Sequence, residues 1–249
     1  MLRRRFTAHL DAIEAAVRES HPGQKMRTDL PPEVVALAAR LGVRPDGVSR
    51  FAAFTQSGQM WRTPGGKPMD FTARQTMGVG ATGFLWRARM GSPVSVAVAD
   101  YFSAGVGGLE VRLLGLFPLV RMVGGAAANQ GEILRYLAEL PWNADAILAN
   151  SSLDWTIIGP NRITVATGVG ADRGEVTFDL DERGLVARAS APSRIYAAKG
   201  GATARPWHGR FWDYQHIGGR FIPRQGEVAW GLDTGDFVYW RGRLTDWNC

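Results

Sequence analysis

Gly78-Val79-Gly80-Ala81-Thr82-Gly83-Phe84-Leu85-Trp86-Arg87-Ala88-Arg89-Met90 admits two incompatible readings. Its first six residues match the glycine fingerprint of dinucleotide-binding proteins, whose chemistry needs a helix N-terminus directly after the glycines to receive a pyrophosphate. The residues after Gly83 form a strand pattern instead. Phe84, Trp86, Ala88 and Met90 alternate with Arg87 and Arg89, giving one buried and one wet face. The glycines therefore read as a hairpin turn, and the neighbourhood as antiparallel sheet.

Working outward, a period of two begins near Val48 and continues to the end of the chain. The reading places strands near 48–62, 68–77, 83–90, 93–102, 106–116, 153–159, 161–168, 173–180 and 185–197, then two or three long ones from 207: about ten in all. Val176, Phe178 and Leu180 alternate with Thr177 and Asp179, and Asp181-Glu182-Arg183-Gly184 turns the chain into Leu185-Val186-Ala187, a hairpin signal. Upstream, Phe6, Leu10, Ile13 and Val17 share a helical face, with His21-Pro22-Gly23 as its stop. A second helix is predicted from Pro31-Pro32 to Gly42. One helix at 130–149 interrupts the strands, with Gly124 to Gly131 read as its flexible entry loop. The expected fold is mainly β (α+β): a single domain, 1–249, with N-terminal helices in 1–45. Residues 46–249 form a curved antiparallel sheet, an incomplete barrel, with the inserted helix.

Bulk properties narrow the function classes. The 249 residues are 45% hydrophobic, but no apolar run reaches the roughly 18 residues that read as a transmembrane helix. Cys249 is the only cysteine, which excludes an intramolecular disulfide, a cysteine metal site and a prenylation box. Arg3-Arg4-Arg5 resembles the start of a signal peptide until Asp11 and Glu14 break the apolar stretch, so a cytoplasmic location is expected. The 29 Lys+Arg against 23 Asp+Glu give +6. These cations are dispersed rather than gathered in a stripe, and no nucleic-acid partner is expected. His208, Asp213 and His216 match no zinc spacing and read as turn or surface groups, and no Gly-x-Ser-x-Gly turn occurs. No metal and no cofactor are expected.

Candidate chemistry concentrates in two places. On the inserted helix Glu132, Arg135, Tyr136 and Glu139 stand at i, i+3, i+4 and i+7, on a side distinct from Ile133, Leu137 and Leu140. That side is either solvated or turned to the mouth of the sheet, where a carboxylate, a guanidinium and a phenol can orient or protonate a ligand. Asp100 continues the apolar face of Val94, Val96 and Val98. A lone buried carboxylate is costly, so Asp100 sits at a strand end in water, pairs with an arginine, or keeps its proton. Five of the nine tryptophans (Trp207, Trp212, Trp230, Trp240, Trp247) fall in the last 43 residues. Phe211-Trp212 and Tyr239-Trp240 put rings on both faces of their strands. Trp86, Trp142, Trp207, Trp212, Tyr214, Trp230, Tyr239 and Trp240 are the candidate ligand-binding set, and Glu132, Arg135, Tyr136 and Asp100 the candidate catalytic set.

Asp70-Phe71-Thr72-Ala73-Arg74-Gln75 with Gly83 through Met90, Gly131 through Glu139 with Pro141-Trp142, Pro206-Trp207 through Tyr214, and Ile222 through Trp230 with Tyr239 through Arg243 resemble a bacterial family of unknown function. That resemblance brings no established catalytic residue. The element order, the Asp181–Gly184 hairpin and the run from Asp213-Tyr214 through Gly219 to Pro223 also resemble the lipoprotein-carrier fold of periplasmic chaperones, an incomplete barrel that holds acyl chains. No signal peptide or lipobox is read in this sequence, so a departure from those carriers is expected and lipoprotein transport is not. Three functions are expected on these grounds: binding of an apolar small molecule or acyl chain, cofactor-independent acid/base catalysis (a cyclase, isomerase or hydrolase) in the same cavity, and an interaction module with a basic surface. Oligomeric state is not legible.

Overall fold

Residues 2–19, 26–44, 47–198 and 201–249 are described by the computed structural model. The helix stop expected at His21-Pro22-Gly23, and the boundary between residues 45 and 46, lie outside them. Two helices lead the chain, α1 (Leu2–Glu19) and α2 (Pro32–Arg40). Six strands come next: β1 (Phe51–Met60), β2 (Met69–Gly78), β3 (Phe84–Met90), β4 (Val96–Ser103), β5 (Val106–Leu113) and β6 (Phe117–Val123). Then come α3 (Ala126–Ala138), a 3-10 turn at Leu140–Trp142 and α4 (Ala144–Ala149). Seven strands complete the fold: β7 (Asp154–Gly159), β8 (Arg162–Thr167), β9 (Gly174–Leu180), β10 (Val186–Ala198), β11 (Gly201–Ile217), β12 (Arg220–Leu232) and β13 (Gly235–Asn248).

All thirteen strands join one antiparallel sheet in the order β6-β5-β4-β3-β2-β1-β13-β12-β11-β10-β9-β8-β7. The sheet is a curved, unclosed half-barrel with β6 and β7 as its free edges. Its curl is set by one helix. α3 touches β4 and β5 near one end of the strand order and β8, β9 and β10 near the other, which a flat sheet of this width does not permit. Asn129 ties the two limbs: its Oδ1 accepts from the Gly107 amide of β5 at 2.9 Å, and its Nδ2 donates to Asp172, just before β9, at 3.1 Å.

Strand alternation sorts the core into two layers. Phe84, Trp86, Val98 and Phe102 face the concave side and join the main core with α2, α3 and α4. Leu85, Ala99 and Tyr101, their neighbours in sequence, face the convex side. There they meet Leu10, Ile13 and Val17 of α1, the face read from helical spacing. The Gly78–Gly83 segment is the expected turn, closed by Gly78 N–H donating to the Gly83 carbonyl at 2.8 Å. At Asp181–Gly184 the Asp181 carboxylate accepts from the amides of Arg183 and Leu185, both at 2.9 Å.

Two expectations are corrected. There are thirteen strands rather than about ten, chiefly because Leu113 to Leu116 is not the tail of one strand. Leu114 (φ 54) and Gly115 (φ 69) turn the chain back into β6. The inserted helix starts at Ala126, inside the segment read as a flexible loop, and it is broken near Pro141, whose ring nitrogen has no hydrogen to continue a helical ladder.

Candidate functional site

A row of register-paired residues crosses the middle of the sheet: Phe71 (β2), Gly58 (β1), Gly242 (β13), Gly226 (β12) and Phe211 (β11). The three central positions have no side chain, and neighbouring rings occupy the gap. A Cβ at Gly242 would stand 2.6 Å from the Trp240 ring, one at Gly226 3.2 Å from Trp142, and one at Gly58 2.9 Å from Phe71. The rings contact each other in series, Phe71–Trp240 at 5.7 Å, Trp240–Trp142 at 6.1 Å and Trp142–Phe211 at 5.2 Å between centroids. Indole N–H groups are anchored away from the rings' free faces. Trp142 Nε1 donates to the Pro223 carbonyl (2.8 Å), Trp86 Nε1 to Gln56 (2.8 Å) and Trp207 Nε1 to the Tyr239 hydroxyl (3.1 Å). A hydrogen-bonded aromatic floor of this kind is held in one orientation and presents apolar faces.

Above the floor and beneath α3 lies a cavity of about 380 Å³, inside the roughly 300–1,000 Å³ range of small-molecule sites. Trp86, Trp142, Trp207, Phe211, Trp230, Tyr239 and Trp240 form much of its wall, with Met60, Met90 and Met122 filling the irregular edges. Ala127, Ala128, Gly131 and Ala138 present the small side of α3 to it.

One pole of the cavity is charged. α3 projects Glu132 and Arg135 into it, Glu139 follows at its C-terminal end, and β4 supplies Asp100. Arg135 pairs with Asp100 through Nη1 and with Glu139 through Nε (3.0 Å), and its Nη2 donates to Gln75 at 3.3 Å. Gln75 in turn donates to Glu139. Arg194 of β10 stacks 4.7 Å from the Trp207 centroid and approaches Glu132 at 4.0 Å. Three carboxylates therefore face two guanidiniums, with every side chain 15% exposed or less. One bound proton balances the count. Burial, and then the neighbouring Asp100, push the Glu132 carboxyl well above its ordinary range. Asp100 Oδ1 and Glu132 Oε2 are the two buried carboxylate oxygens there without a hydrogen-bond partner from the rest of the network. Burial alone would lower the pKa of Arg135, but Glu139, Asp100 and Glu132 outweigh it and raise it, so the guanidinium stays charged. Chemically, the pole offers a carboxyl of raised pKa beside an ion-paired carboxylate, facing an aromatic wall.

Of the expected site residues, Glu132, Arg135, Asp100, Trp86, Trp142, Trp207, Trp230, Tyr239 and Trp240 converge on this cavity. Asp100 takes the arginine-paired option, within β4 rather than in water at a strand end. Three residues do not belong. Tyr136 turns into the core on the other side of α3, donating to the Gly78 carbonyl at 2.9 Å and accepting from Asn150. Burial raises its pKa, and it is a structural phenol, not an acid. Tyr214 is held by the Val186 carbonyl at 2.8 Å, and Trp212 comes directly after Phe211 in the strand and so takes the opposite face. His208 is buried rather than a surface or turn group, 3.0 Å from Asp236, with burial and then Arg188 lowering its pKa. Among the described residues no cluster of metal ligands occurs. Sequence reading misses Arg194, Gln75 and the three methionines. A lone arginine on a bulged strand and a glutamine in an alternating pattern carry no local signal of convergence.

The chain belongs to a family of unknown function, DUF6544, whose model matches residues 21–242. No curated protein matches it by sequence. In chain course it is similar to a LolA superfamily protein from Nitrosomonas europaea, with 11% identity, 96% of this chain and 92% of that one covered, and a TM-score of 0.39. It is also similar to a DUF1329 family protein from Desulfovibrio piger, with 14% identity, 86% and 91% coverage and a TM-score of 0.49. Neither likeness carries an argument about activity.

Proposed function

We propose that this DUF6544 member binds an apolar small molecule or acyl chain beneath α3, with the molecule's polar end against Asp100, Glu132 and Arg194. The cavity carries this reading: about 380 Å³ walled by tryptophan and methionine with one charged pole. Apolar faces favour an apolar body by roughly 25 cal/mol per Å² removed from water, and the pole sets which end leads. Native mass spectrometry of freshly purified protein, then solvent extraction and identification, tests it. A discrete mass excess that reappears as an extracted amphiphile is the expected result. A bare protein mass, with no binding of long-chain fatty acids, alcohols or amines in titration, overturns it.

A second reading is favoured by one arrangement, the buried Glu132 carboxyl, its pKa raised by burial and Asp100, lining the cavity beside the Arg135-paired Asp100. A carboxylic acid held protonated in an apolar site is a proton donor at neutral pH. In this reading Glu132 donates a proton to the bound molecule, Asp100 stabilises or receives it back, and Arg135 holds Asp100 in place. Incubating the extracted molecule with delipidated protein separates the two readings. Conversion that Glu132→Gln abolishes marks an enzyme, and unchanged recovery of the molecule marks a carrier.

A further inference from the structure

β6 is an edge strand whose seven residues are all exposed, and six of them are apolar: Phe117-Pro118-Leu119-Val120-Arg121-Met122-Val123. Phe117 is 61% exposed, Leu119 57% and Leu114, in the turn, 50%. The turn is itself unusual. Two-residue hairpin turns with consecutive left-handed residues ordinarily use Asn or Gly, whereas here Leu114 holds φ 54 with its side chain in water. A turn built for folding alone does not need that leucine.

The surroundings are basic. Arg112 pairs across to Pro118 and Arg89 lies two strands further along the same row. The Arg112 guanidinium stacks 4.0 Å over Phe6, which places the start of α1, with exposed Arg4 and Arg5, beside the hairpin. Arg121 is 70% exposed. The carboxylate among them, Glu110, is buried and bonded to Arg112 at 3.0 Å. The hairpin also reaches the cavity, because Met122 and its register partner Leu109 line it.

We propose that the β5–β6 hairpin docks the protein on an anionic lipid bilayer, Leu114, Leu116, Phe117 and Leu119 entering the headgroup–acyl boundary while Arg4, Arg5 and Arg121 meet the headgroups. The occupant is a bilayer rather than a second protein because apolar side chains leave both faces of β6. A rigid partner laid on one face leaves the other wet, whereas a fluid interface encloses both. Apolar residues flanked by arginine are the composition that lodges at such a boundary. Docking there turns the Met122 rim of the cavity toward the lipid. The inference does not depend on the cavity being filled.

Co-sedimentation of the full chain with phosphatidylcholine vesicles, with and without phosphatidylglycerol, tests this. Binding is expected only with the anionic lipid and weakens as salt screens the arginines. The double variant Leu116→Ser/Phe117→Ser is expected to lose at least roughly tenfold in vesicle affinity, two interfacial anchors being gone. Both positions are exposed, so its melting temperature should stay that of the parent. Uptake of a soluble fluorescent fatty acid, measured without vesicles, should also be unchanged, which separates failure of docking from failure of the cavity. No binding to anionic vesicles, or equal binding by the double variant, overturns the proposal. So does concentration-dependent dimerisation that the double variant abolishes while vesicles remain unbound, which would make β6 an interface between copies.

Discussion

Glu132 is where a single side chain has the clearest pH signature. Its carboxyl titrates well above the ordinary 4.5 in the folded chain, from burial and then from Asp100. The folded state therefore binds more protons than the unfolded one above that pH, and stability falls as pH rises from 4.5 toward the folded value. Gln at 132 keeps the shape but cannot ionise. Glu132→Gln is expected to melt higher than the parent at pH 8, with the difference closing below pH 4.5; equal melting curves at both pH values would show that Glu132 carries no trapped proton. Asp145 makes the contrasting case. It is buried and takes Arg220 on both oxygens, at 2.7 and 3.0 Å, plus the Ser49 amide at 2.9 Å. Asp145→Ala leaves the Arg220 charge stranded and is expected to cost about 3–5 kcal/mol in denaturant unfolding. These two carboxylates look alike in sequence. Only the partners brought from distant strands separate a carboxyl that lines the cavity from one that anchors the core. For that reason Asp145 carries no signal in the sequence, while Tyr136, on a plausible helical spacing, is drawn wrongly into the site.

At the scale of elements, periodicity makes the strands, the α1 face and both flanking turns legible, because each is a local property of a few neighbouring residues. Departures from regularity stay hidden: the αL leucine that creates β6, the early start of α3 and its break near Pro141. The glycine row is hidden for another reason. Gly58, Gly226 and Gly242 are far apart in sequence and become one feature only through strand register. That row makes a prediction. Gly242→Ala puts a methyl group 2.6 Å from the Trp240 indole, so the ring must lift into the cavity. A cost of roughly 1–3 kcal/mol is expected from such overpacking, together with weaker uptake of a fluorescent fatty acid; an unchanged affinity would show that the ring does not bound the ligand space. α3 gives a second. Asn129→Ala removes hydrogen bonds to both limbs, from Gly107 and to Asp172, each worth roughly 0.5–1.5 kcal/mol net. Faster amide exchange should appear together at 106–113 and 170–174, rather than at one limb alone, if α3 is the tie between them.

For the whole molecule, the open sheet leaves α3 and the cavity beneath it between the two limbs. Anything bound there contacts residues of β1, β3–β6 and β10–β13 on one side and of α3 on the other, contacts that the unfolded chain lacks. Binding to the folded state alone stabilises by RT ln(1 + [L]/Kd), about 2.7 kcal/mol at a hundredfold excess over Kd. For a chain of this size that corresponds to a rise of roughly 5–10 °C in melting temperature. Delipidated protein titrated with an amphiphile of the extracted class should therefore melt progressively higher, and α3 together with β4, β5, β9 and β10 should gain exchange protection as one unit. A ligand lodged elsewhere on the surface would raise the melting temperature without coupling those two limbs. Protection at both limbs in step with occupancy is thus the observation that distinguishes a filled half-barrel from adventitious binding.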